Sequence, residues 1–353
     1  MSFSIEDIFP NINTGLQNIG FIFGAGASKN AGYPLMNELT TAVKQKLTQE
    51  ELDLIDQITN KELNSDPNIE EITDILEEYI VNSGQSDKAQ QLIKVRDSVR
   101  KKITEIFLEI KNPDINDHVL FFNSLKKLFA GRDENIWIFT TNYDLLFEIA
   151  ASYSKISLFN GFIGSGLQYF YSDTLHFKYG IPNGHNFISN KEPKIRLIKL
   201  HGSINWWKSN DNDNVLSSIN DSSLLTSYER VMVLPRRKKV IETLDHPYDK
   251  LFTIASKIIG GECKYLVSCG YSFNDQHINE TLLIPKLRQA NISLVSFLKE
   301  ENNNLKQLTN YFSFAYGTEN SSKKLHSAVA NEGTDLWIFQ NFVHLLASTA
   351  GIK

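Results

Sequence analysis

Four short clusters carry the residue types that could do chemistry in this chain. Histidine titrates near neutrality and suits a general base, while an asparagine amide can hold a sugar hydroxyl or a water. Glycines let a ligand approach the backbone closely, and a following helix offers free N–H groups to phosphate. Together these types favour a nucleotide pocket that also moves a proton. The clusters are Gly24-Ala25-Gly26-Ala27-Ser28, Thr140-Thr141-Asn142-Tyr143-Asp144, His201-Gly202-Ser203 and Cys269-Gly270-Tyr271-Ser272.

Each cluster also has a purely structural explanation. The first lacks the third glycine of the dinucleotide fingerprint, because Lys29 stands at that position, and it could be a tight strand–helix turn. Asn142 and Asp144 are residue types that cap helices, and His201 could be a satisfied structural histidine. Among the other histidines, we expect structural roles for His118, His176, His185 and His246. We rank His277 between these and His201 as a candidate for the site.

The elements that must position these clusters alternate between strands and helices. Apolar runs predict strands at 19–23, 136–140, 195–200, 265–268, 292–297 and 335–339. Helical spacing from 39 to about 129 is too long for a simple crossover and predicts an inserted helical layer. Further helices are predicted up to about 151, at about 247–259 and 275–289, and at the end of the chain, with an irregular segment or small sheet at 159–187 and a loop at 209–223.

This order of elements predicts where the clusters meet. Alternating strands and helices indicate an α/β fold with a doubly wound, mostly parallel, Rossmann-like sheet. Ligands of such sheets bind beyond the carboxyl ends of the strands. Each of the four clusters directly follows a predicted strand, so we expect one shared pocket.

Composition limits the class of protein. The chain has 353 residues, of which 41% are hydrophobic and 22% charged, so it can bury a sizeable core. A net charge of −5 argues against bulk binding of nucleic acid, although the basic run 236–239 could contact a phosphate or an acidic partner instead of being a solvated face. Two cysteines exclude a disulfide scaffold and a four-cysteine zinc module. With no signal peptide and no apolar run of about 18 residues, we expect a cytoplasmic protein.

Taken in order, the clusters resemble the sirtuin family, in particular its bacterial anti-phage defence branch of NAD-cleaving enzymes. The resemblance covers about residues 19–300. Its motifs differ from those of the protein deacylases, because Leu35, Met36 and Asn37 replace an Asp-Phe-Arg-like segment and the zinc module is missing. The matching motifs are GAGxS…GxP at Gly24, Ala25, Gly26, Ser28, Gly32 and Pro34, TxNxD at Thr140 or Thr141, Asn142 and Asp144, HG at His201 and Gly202, and GxS at Gly270 and Ser272.

The resemblance implies an NAD⁺ hydrolase that releases nicotinamide and ADP-ribose without a metal and depletes NAD in abortive infection. It implies that Asn142 orients the ribose and the attacking water and that His201 acts as base. It also implies that Asp144 orients these two side chains and takes no proton itself. Residues implied to bind the dinucleotide are Gly24, Ala25, Gly26, Ser28, Pro34, Thr141, Gly270 and Ser272.

The expected organisation rests on the amphipathic helical layer as well as on the resemblance. Residues 1–353 are expected to form one catalytic domain, with 39–129 as a helical layer that also makes a homo-oligomer. No sensing domain remains, so a separate partner is expected, such as a HerA-type ATPase or another phage-sensing subunit, with no membrane and no sequence-specific nucleic acid. The alternatives are an NAD-dependent protein deacylase or ADP-ribosyltransferase, and a non-enzymatic NAD or ADP-ribose sensor that regulates a partner.

Overall fold

A parallel β-sheet forms the centre of the fold in the computed structural model. The structure describes residues 18–59, 67–209, 215–218, 228–232, 246–317, 324–325, 328–329 and 335–352, so the basic run 236–239 and most of 209–223 lie outside the described residues. In chain order the strands are β1 (Ile19–Phe23), β2 (Asn135–Thr140), β3 (Ser157–Phe159), β4 (Phe162–Gly164), β5 (Gln168–Phe170), β6 (Gly180–Asn183), β7 (Asn186–Ser189), β8 (Lys194–Lys199), β9 (Gly202–Ser209), β10 (Val215–Ser217), β11 (Tyr228–Met232), β12 (Tyr265–Cys269), β13 (Ser293–Phe297), β14 (Phe314–Gly317), β15 (Lys324–Leu325) and β16 (Ala328–Val329).

Helices connect and cover these strands. A π-helical turn, Asn279–Leu283, joins α8 to α9, and 3₁₀ helices occupy Ala25–Ser28, Ser172–His176 and Asp335–Trp337. The α-helices are α1 (Met36–Lys46), α2 (Gln49–Thr59), α3 (Ile69–Ser83), α4 (Asp87–Glu109), α5 (Asn116–Leu128), α6 (Leu146–Tyr153), α7 (Tyr248–Ile258), α8 (Gln276–Ile278), α9 (Ile284–Arg288), α10 (Asn303–Leu308) and α11 (Phe339–Thr349).

The central sheet has seven strands in the order β14-β13-β12-β1-β2-β8-β3, and every neighbouring pair is parallel. Both faces are buried, as parallel sheets require. Phe21 and Phe23 pack towards α5, α6 and α11 on one face, whereas Ile22 packs in a second core with α7 and α9 on the other. The predicted doubly wound, mostly parallel α/β fold is confirmed.

One predicted strand is wrong. Residues 335–339 form the 3₁₀ helix Asp335–Trp337 and the start of α11, and the edge strand of the sheet is β14 instead. The physical reason is visible in the burial of Phe339, Phe342, Val343 and Leu346, whose spacing of three, four and seven residues is that of one helix face. A short apolar run before such a pattern does not distinguish a strand from the start of a helix.

Helices α1 to α4 form a separate helical layer. They lie in the connection between β1 and β2, which are neighbours in the sheet. The range 39–129 also includes α5, which packs in the core of the central sheet instead of in this layer. The layer has its own core, in which Val43, Leu76 and Val99 are fully buried. The same core includes Tyr33 and Tyr143, so the layer packs directly on the loops that follow β1 and β2.

A second, antiparallel sheet takes over where β8 ends. Its strands run in the order β11-β9-β10-β5-β4, and only two residues separate the end of β8 from the start of β9. The chain therefore passes from one sheet to the other through Leu200 and His201. Gly202 makes the change of direction possible, because its φ of 81° lies in the left-handed region that other residues avoid.

Two glycines bring the ends of β1 and β12 into backbone contact. The Gly26 N–H donates to the Gly270 carbonyl at 3.0 Å. A Cβ on Gly270 would lie 2.5 Å from the Ala27 nitrogen, and Gly270 has a φ of +66°. Only glycine fits this crossing without displacing the backbone.

We expect Gly270→Ala to lower the free energy of unfolding by about 2–5 kcal/mol, the sum of left-handed strain and overpacking. Gly166→Ala is the matched control, because Gly166 has no positive φ and a Cβ there would meet nothing within 4 Å. We expect the control to change stability by less than about 0.5 kcal/mol. Urea denaturation of both variants without ligand measures the difference, and equal losses would contradict this account.

Candidate functional site

A cavity of about 840 Å³ opens at the carboxyl ends of β1, β2, β8, β12 and β13. The structure brings together in its wall all the residues that the sequence nominates for the site. Their catalytic and binding roles stay predictions, but their common location follows from the strand order. They are Gly24, Ala25, Gly26, Ser28, Pro34, Thr141, Asn142, Asp144, His201, Gly270 and Ser272.

The turn after β1 differs from the sequence prediction. Only the four-residue 3₁₀ helix Ala25–Ser28 follows the strand, and the first α-helix begins at Met36. Gly32, with a φ of +99°, and Pro34 separate the two helices. The glycine turn therefore leads into a 3₁₀ helix, and the N-terminus of the first α-helix lies at Met36 instead.

A chain of hydrogen bonds joins the loops after β1 and β2. The Asn142 side-chain nitrogen donates to the Ser28 hydroxyl at 2.7 Å, and that hydroxyl donates to Asp144 Oδ2 at 2.7 Å. Asp144 Oδ1 accepts the Leu146 N–H at 3.0 Å, at the start of α6. Asp144 therefore stabilises the start of α6, as expected for a helix-capping residue, and it also orients Ser28.

The amide of Asn142 has a defined polarity within this chain. Its nitrogen also donates to the Gly24 carbonyl at 3.0 Å, so both N–H bonds are used. None of the described residues donates a hydrogen bond to its Oδ1. The amide is therefore left with an acceptor for a ligand hydroxyl or a water, rather than with both functions as the sequence suggests.

His201 is paired with an acidic residue that the sequence analysis missed. Its Nε2 lies 2.7 Å from Asp275 Oδ2, and only 5% of His201 and 7% of Asp275 are exposed. Asp275 Oδ1 accepts the Ile278 N–H at 3.0 Å and begins α8. Because this residue type at this position already caps a helix, its sequence signal could not be told from that of an ordinary cap.

Two buried tyrosines add neutral hydroxyls to the wall. Burial raises the pKa of Tyr271, and the charges of Asp275 and Glu70 raise it further. Burial likewise raises the pKa of Tyr33, with smaller contributions from Asp144 and Glu148. Both phenols therefore stay protonated over the physiological range.

The helical layer forms one side of the cavity, which the sequence analysis also missed. Glu70 of α3 and Phe107 of α4 line it, together with the first residues of α1. The Phe107 ring lies 5.4 Å from that of Tyr33 and 5.7 Å from that of Tyr143. The layer thus touches both loops that carry the hydrogen-bond chain.

The remaining candidate groups lie elsewhere. His118 is buried against the rings of Phe147 and Phe339, and burial lowers its pKa to about 4. Cys263 and Cys269 are buried, which raises the pKa of both thiols. Among the residues described, no three His, Cys, Asp or Glu side chains are grouped to hold a metal ion. No described helix has the length and apolarity of a membrane span.

Comparison with solved structures gives distant similarities. A Sir2 homologue mutant in complex with 2'-O-acetyl ADP-ribose has 13% identity and a TM-score of 0.46, covering 99% of this chain and 98% of that chain. Two other mutants of a Sir2 homologue, both in complex with ADP-ribose, have 12% and 11% identity and TM-scores of 0.45 and 0.44, each covering 99% of this chain and 97% of that chain.

Comparison of sequences identifies the family. No curated protein matches the chain. The SIR2-like domain family matches residues 137–334, which is more than half of the 353 residues. The matched segment contains Asn142, Asp144, His201 and Asp275. On this evidence the chain belongs to the SIR2-like domain family.

Proposed function

We propose that this chain hydrolyses NAD⁺ to nicotinamide and ADP-ribose. The observation that carries the proposal is one cavity that holds both the Asn142–Ser28–Asp144 chain and the His201–Asp275 pair. Membership of the SIR2-like domain family supports NAD as the substrate. The cavity volume of about 840 Å³ is within the range typical of small-molecule and cofactor sites.

The glycine crossing provides the binding surface for the dinucleotide. Gly24, Gly26 and Gly270 line the cavity with main-chain atoms, and a Cβ on any of them would lie within 2.8 Å of the backbone of the crossing. We expect a phosphate or ribose to bind against this main chain. Ser28, Pro34, Thr141 and Ser272 complete this surface. We assign these residues to binding and orientation of the substrate.

Asn142 orients the reacting atoms. Its Oδ1 accepts a hydrogen bond from the attacking water or from a ribose hydroxyl, because both its N–H bonds are held by Ser28 and Gly24. The bond between the ribose C1' and the nicotinamide nitrogen breaks through an oxocarbenium-like state, and the electron pair leaves with neutral nicotinamide. The water oxygen then bonds to C1'.

His201 takes the proton that this water loses. An imidazole that donates from Nε2 to Asp275 keeps its accepting lone pair on Nδ1. The Asp275 carboxylate holds that tautomer and stabilises the imidazolium that forms. Asp144 moves no proton; it keeps Ser28 in place through Oδ2.

We expect Asn142→Ala and His201→Ala each to reduce nicotinamide release by about 10²–10⁴-fold, the usual effect of losing an orienting or basic group. Asn186→Ala and His185→Ala are matched controls, because both residues are exposed in the β6–β7 hairpin outside the cavity. Nicotinamide is quantified by chromatography after incubation with NAD⁺.

The same assay separates the alternatives. Wild-type protein that binds NAD⁺ and releases no nicotinamide with any activator would be a sensor instead. Acyl-lysine turnover in proportion to the NAD⁺ consumed would identify a protein deacylase. Near-normal turnover of either alanine variant would remove the role assigned to that residue.

Asp275→Asn tests the His201 pair separately. The amide cannot stabilise an imidazolium, so kcat is expected to fall by about 10²–10⁴-fold while the fold survives. Asp249→Asn is the control, since Asp249 lies 3.7 Å from His246 in a longer and more exposed His–Asp pair outside the cavity. Steady-state kinetics and thermal denaturation of both variants give the comparison, and equal kcat values would show that Asp275 has no such role.

We also propose that this activity is conditional and serves anti-phage defence by NAD depletion. Unregulated NAD⁺ hydrolysis would harm the cell that makes the enzyme, and the resemblance implies a partner such as a HerA-type ATPase. The helical layer α1 to α4 offers a surface for a homo-oligomer. We propose that it and the sheet form one catalytic domain.

Light scattering is expected to show an oligomer of the isolated protein at micromolar concentration. Co-expression with the product of the neighbouring gene is expected to give a complex with altered nicotinamide release. A monomer would remove the oligomer from the proposal, and the absence of both a complex and an altered rate would remove the partner. Neither result changes the proposed hydrolysis.

A further inference from the structure

A buried ammonium group lies beneath the candidate site without lining it. Lys199 is the last residue of β8, and 2% of it is exposed. Lysine is almost never this buried unless its charge is paired. Its Nζ lies within hydrogen-bond distance of four oxygens, so one of its three N–H bonds is shared. The oxygens are the Tyr143 carbonyl at 3.3 Å, the Asp144 carbonyl, the Ser203 hydroxyl at 2.7 Å and Glu148 Oε1 at 3.2 Å.

These contacts join the two segments that carry the proposed reaction. Tyr143 and Asp144 follow Asn142 in the loop after β2, whereas Ser203 comes two residues after His201. The Ser203 hydroxyl also donates to the Tyr143 carbonyl at 3.1 Å. A single side chain therefore fixes the peptide groups beside Asn142 to the strand that begins after His201.

Stability alone does not account for a charge at this position. A buried ion pair usually gains little over apolar residues of similar volume, because both charges lose their hydration. Glu148 shows this cost: burial raises its pKa against the opposing effect of Lys199, and its Oε2 has no partner among the described residues. An apolar pair would hold α6 against β8 but would remove the ammonium that donates to the Asp144 carbonyl, while the Tyr143 carbonyl would keep its bonds from Ser203 and from the Ile204 N–H.

We propose that Lys199 is a positioning residue that holds the loop carrying Asn142 and Asp144 in register with His201. It touches neither the cavity nor the substrate, and it acts through the carbonyls of Tyr143 and Asp144. The expected effect of Lys199 on turnover rests on the proposed NAD⁺ hydrolysis. Its expected effect on the position of the loop is independent of that reaction.

The test uses a double variant, because Lys199→Met alone leaves Glu148 buried without its partner. In Lys199→Met/Glu148→Leu the pair becomes apolar, and we expect a folded protein. Its kcat is expected to fall by about 10²-fold, since misplacement of about 1 Å costs this much. KM is expected to change less than about threefold, because the glycine turn that binds the dinucleotide makes no contact with Lys199.

Glu148→Gln is the matched control. It leaves the buried Lys199 ammonium without its counter-ion, so thermal stability is expected to fall. The bonds from Lys199 to the two carbonyls and to Ser203 remain, so kcat is expected to stay near that of the wild type. If the Lys199–Glu148 pair only stabilised the fold, kcat would instead decrease in parallel with thermal stability among the wild type, Glu148→Gln and the double variant. A double variant that fails to fold, or that keeps kcat within about threefold of the wild type, overturns the proposal.

Hydrogen exchange separates this inference from the proposed reaction. Exchange of amides in peptides covering residues 141–147 is expected to speed up in the double variant and not in Glu148→Gln. Unchanged exchange in the double variant overturns the positioning role. Wild-type protein that releases no nicotinamide overturns the hydrolysis, and the exchange result then still decides the role of Lys199.

Discussion

The hydrogen bond from Ser28 to Asp144 is the contact on which the rest of the cavity depends. It joins the loop after β1 to the loop after β2, and the same hydroxyl receives the Asn142 amide. The Gly26–Gly270 contact adds the end of β12 on the other side of β1. Because these three strands are parallel neighbours, their loops share one edge of the sheet, and small residues suffice to connect them.

The helical layer is part of this arrangement rather than an appendage to it. A crossover between two adjacent parallel strands needs one helix, yet here four more helices precede α5 and build a core of their own. Through Phe107 and Glu70 that core reaches the cavity. A change of helix packing in the layer would therefore be felt at Tyr33 and Tyr143, which flank the two loops.

How much of this could be predicted follows from what each residue shows in sequence. The strands β1, β2, β8 and β12 are short, carry several apolar residues and are followed by polar clusters, so their presence and the shared pocket are predictable. The edge strand β14 and the start of α11 are not, because burial at Phe339 is equally consistent with either element. The wall supplied by Glu70 and Phe107 depends on how helices pack, and periodicity carries no information about that.

The contacts of Asp275 and Lys199 near the cavity could not be predicted from the sequence, for one physical reason that applies to both. Each does structural work that explains its presence: Asp275 begins α8, and Lys199 is one more residue of a strand. Only the three-dimensional structure shows that Asp275 Oδ2 contacts His201. The same holds for the contact of the Lys199 ammonium with the loop that carries Asn142. Such groups cost desolvation free energy when buried. Their place beside the cavity is what favours function over packing as the reason they are there.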